Sequence, residues 1–316
     1  MTNPSPKEER LPLYGGQALI EGVMMRGQYA IAAAMRAPDG TVKIHTEPLS
    51  GIYRSKWIKV PFARGLVSLW DSLGLGMRFL TMSANIQTGE EEKLEGKEMA
   101  VTMGTALVFA AVIFFAAPAF IGYLAERFLG FTGFTSNLLE GLIRLGTVIG
   151  YIWLVGKMPE IARVFAYHGA EHKTINAYEA RADLTPENVL RHSLEHPRCG
   201  TAFLLTLVVL SVFVFTIIGP LPLFWKIATR IMFIPLLAGI AYEYIRWTAR
   251  HLDNPIVRQI VRPNLALQRM TTRQPDAGMA EVAITAFNAM IEQEKVLAAQ
   301  ALGEQAPVMG GATTTS

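Results

Sequence analysis

The chain has 316 residues, of which 51% are hydrophobic and only 17% charged, with a mean hydropathy of +0.29. That balance argues against a soluble enzyme and for a membrane protein. A net charge of +3 is too small to support nucleic-acid binding, and a single cysteine excludes an intramolecular disulfide.

Residues 1–13 read as a polar tail, and the first apolar run begins about a hundred residues in, so no cleavable secretory signal is expected. Residues 14–60 form a small β-rich region. Gly15-Gly16 opens it, and residues 30–35 and 41–46 are short strands flanking a Pro38-Asp39-Gly40 turn. The stretch from Gly16 to Gly22 lacks the Lys-Ser/Thr of a phosphate-binding loop. Its Gln17 and Glu21, with Arg26, face either a site or the solvent side of a strand.

Residues 61–98 comprise an amphipathic helix and a charged linker. Phe62, Leu66, Leu69, Trp70, Leu73, Met77 and Leu80 recur at helical spacing, which places the helix on a membrane surface or against a bundle; residues 90–98 are the linker. Residues 99–247 are a four-span membrane domain. Residues 99–124 and 201–223 are charge-free runs long enough to cross a bilayer, the second interrupted at Gly219-Pro220. Residues 138–155 carry Glu140 and Arg144, four apart and able to pair, and residues 227–247 carry Arg230 at one end with Glu243 and Arg246 at the other. Residues 248–305 form a cytoplasmic C-terminal segment whose helix spans 280–299, with a stripe at Val282, Ala286, Met290 and Leu297; residues 306–316 read as a disordered tail. The fold class is therefore mainly α, a polytopic helical membrane protein with a small N-terminal β-rich region and amphipathic helices.

Of the 29 Lys and Arg residues, 12 precede the first span, 6 lie between Lys157 and Arg198, and 7 follow from Arg246. By the positive-inside rule both termini and the His-rich loop 157–199 are cytoplasmic. Cys199 is then kept reduced and able to ligate.

That loop carries the chemistry. His168-Gly169-Ala170-Glu171-His172 has the H-x-x-E-H pattern of inverted zinc hydrolases. On a helix His168 and His172 stack on one face and can reach one metal, while Glu171 stays free to take a proton from water. Glu179, two turns beyond His172, is a third ligand or orients one. The spacing recurs in His192-Ser193-Leu194-Glu195-His196. Thr185-Pro186 before it reads as a helix start, and Pro197 places His196 at the helix end. The x-x spacer in His196-Pro197-Arg198-Cys199 lets His196 and Cys199 turn toward one ion, although a lone Cys is more often a small buried hydrophobe.

The stretch from Gly15 to Gly27, with Tyr167-His168-Gly169-Ala170-Glu171-His172-Lys173-Thr174, Tyr178-Glu179 and His196-Pro197-Arg198-Cys199-Gly200-Thr201, resembles the YqhQ-like family of bacterial membrane proteins, described as predicted metal-dependent enzymes. The resemblance runs over roughly residues 13–292. It implies that His168, Glu171, His172, Glu179, His196 and Cys199 belong to the family pattern and that His192 is a local addition. The expected function is a membrane-embedded zinc-dependent hydrolase at the cytoplasmic face, with Glu171 as base and an unknown substrate. Imidazole and thiolate donors favour zinc, with iron and manganese as the other metals such a site can hold. The alternatives are a structural zinc clip built from His168, His172, His196 and Cys199, and a non-enzymatic membrane scaffold or transport component.

Overall fold

The computed structural model describes residues 12, 14–49, 60–88, 96–219 and 221–304. Nearly all of the expected N-terminal tail, residues 50–59 of the β-rich region, residues 90–95 of the charged linker, Pro220 and the C-terminal tail lie outside the described residues.

Four strands run as an antiparallel meander in chain order: β1 (Gly15–Leu19), β2 (Gly22–Arg26), β3 (Ala30–Arg36) and β4 (Val42–Pro48). The expected strands around Pro38-Asp39-Gly40 are β3 and β4, in register from Ala30↔Pro48 to Arg36↔Val42. Asp39 fixes their turn by accepting from both the amide and the hydroxyl of Thr41. Side chains alternate across the sheet, and both faces are covered. Val23, Met25, Ala32 and Ala34 face two helices, α5 (Pro159–Glu179) and α11 (Ala277–Glu304), through Ala166, Tyr167, Ala170, Val282, Ala286, Phe287 and Met290. Met24, Ile31, Ala33 and Met35 face α1 (Ala63–Thr88) through Phe79, Leu75 and Met82. The alanines of β3 keep both helix layers close to the backbone. At the β2–β3 turn the Glu294 carboxylate of α11 accepts from the amides of Gln28, Tyr29 and Ala30.

The amphipathic helix expected after Pro61 is α1. It packs on the sheet, and its first half leaves Leu66, Trp70 and Leu73 exposed.

Among the described residues, three helical runs are long and apolar enough to cross a membrane: Val101–Leu129, Gly133–Val155 and Thr201–Ile218. The first joins α2 (Gly96–Ala111) to α3 (Ala117–Leu129) through a π-helical turn, Val112–Ala116. Pro118 has no amide for the Phe114 carbonyl, and that carbonyl accepts instead from Arg144 Nε at 2.9 Å. The second run is α4 and the third α7. The fourth span expected over 227–247 falls on a bent pair, α8 (Leu223–Met232) and α9 (Ile234–Arg250), at 42° to each other, which together are long and apolar enough to count as one broken span. Pro235, in the first turn of α9, breaks the helix because its ring cannot follow a continuous preceding turn.

Buried charge ties these helices together. Glu140 receives Arg144 at 2.7 Å, as the spacing predicted, and also Arg230 of α8 at 2.9 and 3.0 Å, while Lys226 reaches Glu126 at 2.9 Å. This reverses the usual sidedness of α8: Lys226 and Arg230 point inward, and Phe224, Trp225, Ile231 and Met232 point outward.

The His-rich region is mostly helix rather than loop. Between α5 and α7 lies only α6 (Pro186–Arg191), capped by Thr185 as expected. It ends at Arg191, so His196 sits in an irregular segment past the helix, not at its end. The C-terminal segment contains α10 (Pro255–Thr271) as well as α11, whose Val282, Ala286 and Met290 are buried as the stripe predicted.

Candidate metal centre

The i, i+4 spacing on α5 does what sequence arithmetic requires: the His168 and His172 rings stand 4.4 Å apart. Cys199, at the foot of α7, completes the group. One donor atom each of His168, His172 and Cys199 lies within 4.8 Å of the others, with Cys199 Sγ 3.2 Å from His168 Nε2. Glu171 leans over the pair, its Oε2 3.8 Å from His168 Nε2 and 3.7 Å from His172 Nε2.

Backbone carbonyls orient the rings. His168 Nδ1 donates to Thr271 O at 2.9 Å and His172 Nδ1 to Leu194 O at 2.6 Å. A carbonyl only accepts, so each Nδ1 carries a proton and each Nε2 faces the cluster. Gln268 of α10 brackets His196 by accepting from its amide and donating to its carbonyl, both at 2.9 Å. The His196 ring lies 5.5 Å from that of His172, and its buried Nε2 has no hydrogen-bond partner among the described residues. Lys173, on the far side of α5, holds the incoming chain by donating to the carbonyls of Leu190 and His192.

The electrostatics follow from burial and proximity. Burial works against the charged form of His168, but the Cys199 hydrogen bond and charge outweigh it and raise His168 to about 9. Burial would raise the Cys199 thiol; hydrogen bonds from His168 and His172 overcome it and hold the thiol well below its ordinary value. Burial raises the Glu171 carboxyl, opposed by the charges of His172 and His168. Burial, then Arg198 and the other two histidines, pushes His196 down to about 3, so it is neutral.

Thus His168, His172, Cys199 and Glu171 come together and His196 adjoins them. Glu179 is not in the group: Arg198, brought back by the 196–199 turn, binds its carboxylate. His192 turns away to the Asn188 carbonyl. Gln17 packs over Gly76, and Glu21 pairs with Arg163 and Tyr167. Gln268, Thr271 and Leu194 were not foreseen, because two of them act through backbone carbonyls that carry no residue signature.

The cluster forms part of the wall of a cavity of about 1870 Å³ that extends along β1, α1 and α9. Gly16 of β1 lies directly against Glu171.

Fold and site together define a mainly helical protein with a bundle of apolar helices and a buried His/Cys cluster on the helix between two of them. The chain belongs to the family described as protein of unknown function DUF1385, whose model matches residues 60–293. It is 33% identical over 299 residues to the protein of Bacillus subtilis (strain 168) named "Uncharacterized protein YqhQ", covering 90% of this chain and 93% of that one. The resemblance to the YqhQ-like family is thereby established. No solved structure gives a significant match.

Proposed function

We propose that the chain is a membrane-embedded, metal-dependent hydrolase with zinc as its metal, acting at the cytoplasmic face. The observation that carries this reading is the convergence of His168, His172 and Cys199 on one point beside Glu171 at a cavity wall.

The donors fit a soft divalent cation. Both imidazoles are fixed from behind by carbonyl acceptors, an arrangement usual for metal-ligating histidine. Hydrogen bonds from His168 and His172 lower the Cys199 thiol and so favour the thiolate, the form that ligates. Two nitrogens and a sulfur favour zinc, with iron and manganese as alternatives.

His168, His172 and Cys199 would hold the ion. Bound there, it would supply polarisation of a substrate carbonyl or phosphoryl and acidification of water. Glu171 need not be a ligand: its Oε2, 3.8 Å from His168 Nε2 and 3.7 Å from His172 Nε2, sits where it can accept the proton of an attacking water. Thr271, Leu194 and Gln268 hold the rings and His196 in place.

A second reading has its own observation. The partnerless Nε2 of His196 offers a fourth donor, and a four-ligand set would close the site into a structural clip between the loop and α7.

The bilayer is the expected partner: the apolar helices support a multi-pass protein, and the Lys/Arg distribution supports cytoplasmic termini. In the sequence the site falls between α4 and α7, with six of the Lys and Arg residues between Lys157 and Arg198, which supports a cytoplasmic position for it.

Metal analysis and one substitution test the proposal. Detergent-purified protein should carry about one zinc per chain, and His168→Ala/His172→Ala should strip it. Glu171→Gln should remain folded and loaded yet lose activity by about a hundred- to ten-thousand-fold in a complementation assay. Full complementation by Glu171→Gln at normal expression removes the hydrolase mechanism; retained zinc in the double alanine variant removes the metal site.

A further inference from the structure

We propose that the cavity beside the His/Cys cluster binds a membrane amphiphile through its phosphate group, an assignment of substrate class that rests on the hydrolase reading above. The argument begins with α9. Tyr242, Ile245, Arg246, Ala249 and Arg250 all line the cavity, and their spacing of three, one, three and one marks a single helical face. The cavity therefore extends from the His/Cys cluster along the last two turns of the helix that ends the apolar bundle, where a bilayer surface would lie.

The lining is cationic. Five arginines face it against two glutamates, Glu171 and Glu179. Two of the five are neutralised, Arg26 by Asp71 at 3.2 Å and Arg198 by Glu179. Arg246 and Arg250 have no ion-pair partner among the described residues, since Glu243, the carboxylate of their own helix, is bound through both oxygens by Arg64. Two guanidinium groups four residues apart, beside His251, match a tetrahedral oxyanion, which accepts several N–H donors at once.

Part of the wall is apolar. Leu69, Phe165, Phe203 and Ile245 line it, and the turn of α1 that supplies Leu69 exposes Leu66, Trp70 and Leu73 on its outer side. Exposed Trp and Leu next to a basic rim are the features of a segment at the lipid headgroup level. A free phosphate would leave the apolar wall unused, and an uncharged lipid would leave Arg246 and Arg250 unused. An amphiphile with a phosphate head uses both, with its head between α9 and the His/Cys cluster.

The test measures binding rather than turnover, on the full chain in nanodiscs of zwitterionic lipid and in the Glu171→Gln background. The probes are dihexanoyl phosphatidic acid, dihexanoylglycerol and inorganic phosphate. Dihexanoyl phosphatidic acid should bind at least about tenfold more tightly than either other probe, and Arg246→Gln/Arg250→Gln should weaken it about tenfold to a hundredfold. Arg246→Lys/Arg250→Lys, which keeps the charge, should give an intermediate affinity and certify folding by an unchanged melting temperature. Unaltered affinity in a folded Gln double variant overturns the proposal, as does inorganic phosphate binding as tightly as the amphiphile. Repeating the titration on zinc-stripped protein separates the two readings. Arginine-dependent binding in a chain that never holds zinc leaves this site standing without the hydrolase, and a zinc-loaded chain with inert arginines does the reverse.

Discussion

Replacing Gly16 by alanine tests whether the N-terminal sheet sets the position of the proposed base. A methyl group there would lie 2.7 Å from Glu171 Cγ, 2.7 Å from the Met24 carbonyl oxygen and 3.0 Å from Glu171 Oε1. The Met24 oxygen cannot withdraw easily, because Met24 is paired with Gln17 in the β1–β2 ladder. Glu171 must therefore move, and at 4% exposure it has little room. Overfilling a packed interior in this way costs about 1–3 kcal/mol, and at about 2–4 °C per kcal/mol the melting temperature should fall by roughly 2–12 °C. A displacement of about an ångström at a reacting group also reduces turnover by about a hundredfold. Gly15→Ala is the control: nothing lies within 4 Å of its added methyl, and it shares any change in unfolded-chain entropy. Thermal melting in detergent, zinc content and complementation should show Gly15→Ala behaving as the parent and Gly16→Ala losing both stability and complementation. If the two variants melt and complement alike, the sheet does not position Glu171.

Glu140→Leu should lower folded yield and melting temperature sharply, because it leaves Arg144 and Arg230 buried without their shared carboxylate, at a cost of about 3–5 kcal/mol; an unchanged melt would contradict the network. The hydrogen bond from Arg163 holds Glu21 below the usual carboxylate range despite its partial burial. A depressed carboxylate stabilises the fold above its ordinary value and loses that contribution as pH falls through the depressed one. Melting followed from about pH 6 to pH 3 should therefore fall more steeply in the parent than in Glu21→Gln. Reporter fusions at Ala180 should read cytoplasmic and at Gly133 external, and an external signal at Ala180 would move the site to the other side of the membrane.

Much of this architecture could be read from the chain. The β3–β4 hairpin announces itself through Pro38-Asp39-Gly40, the buried Glu140–Arg144 pair through its i, i+4 spacing, and the facing histidines through theirs. What escaped were relations between distant segments. The fourth apolar stretch looked continuous because Pro235 falls early in α9. Arg230 gave no sign that it would join Glu140, 90 residues away. Glu179 was expected at the cluster because helical geometry returned it to the right face, but that geometry could not foresee Arg198 folding back to bind it. The rings of His168 and His172 are aimed by the carbonyls of Thr271 and Leu194, groups that every residue possesses.

The contact between Glu294 and the β2–β3 turn joins residues 264 to 266 positions apart. The sheet is made first, yet one of its faces is covered by a helix made last. At about 5–20 residues per second, the ribosome needs on the order of half a minute to supply that cover. During that interval Val23, Met25, Ala32 and Ala34 still await α11. Since the same sheet presses Gly16 against Glu171, the proposed base reaches its final setting only once α11 has been made and has packed. A chain stopped before α11 would leave that face of the sheet uncovered and the contact between Gly16 and Glu171 unsupported.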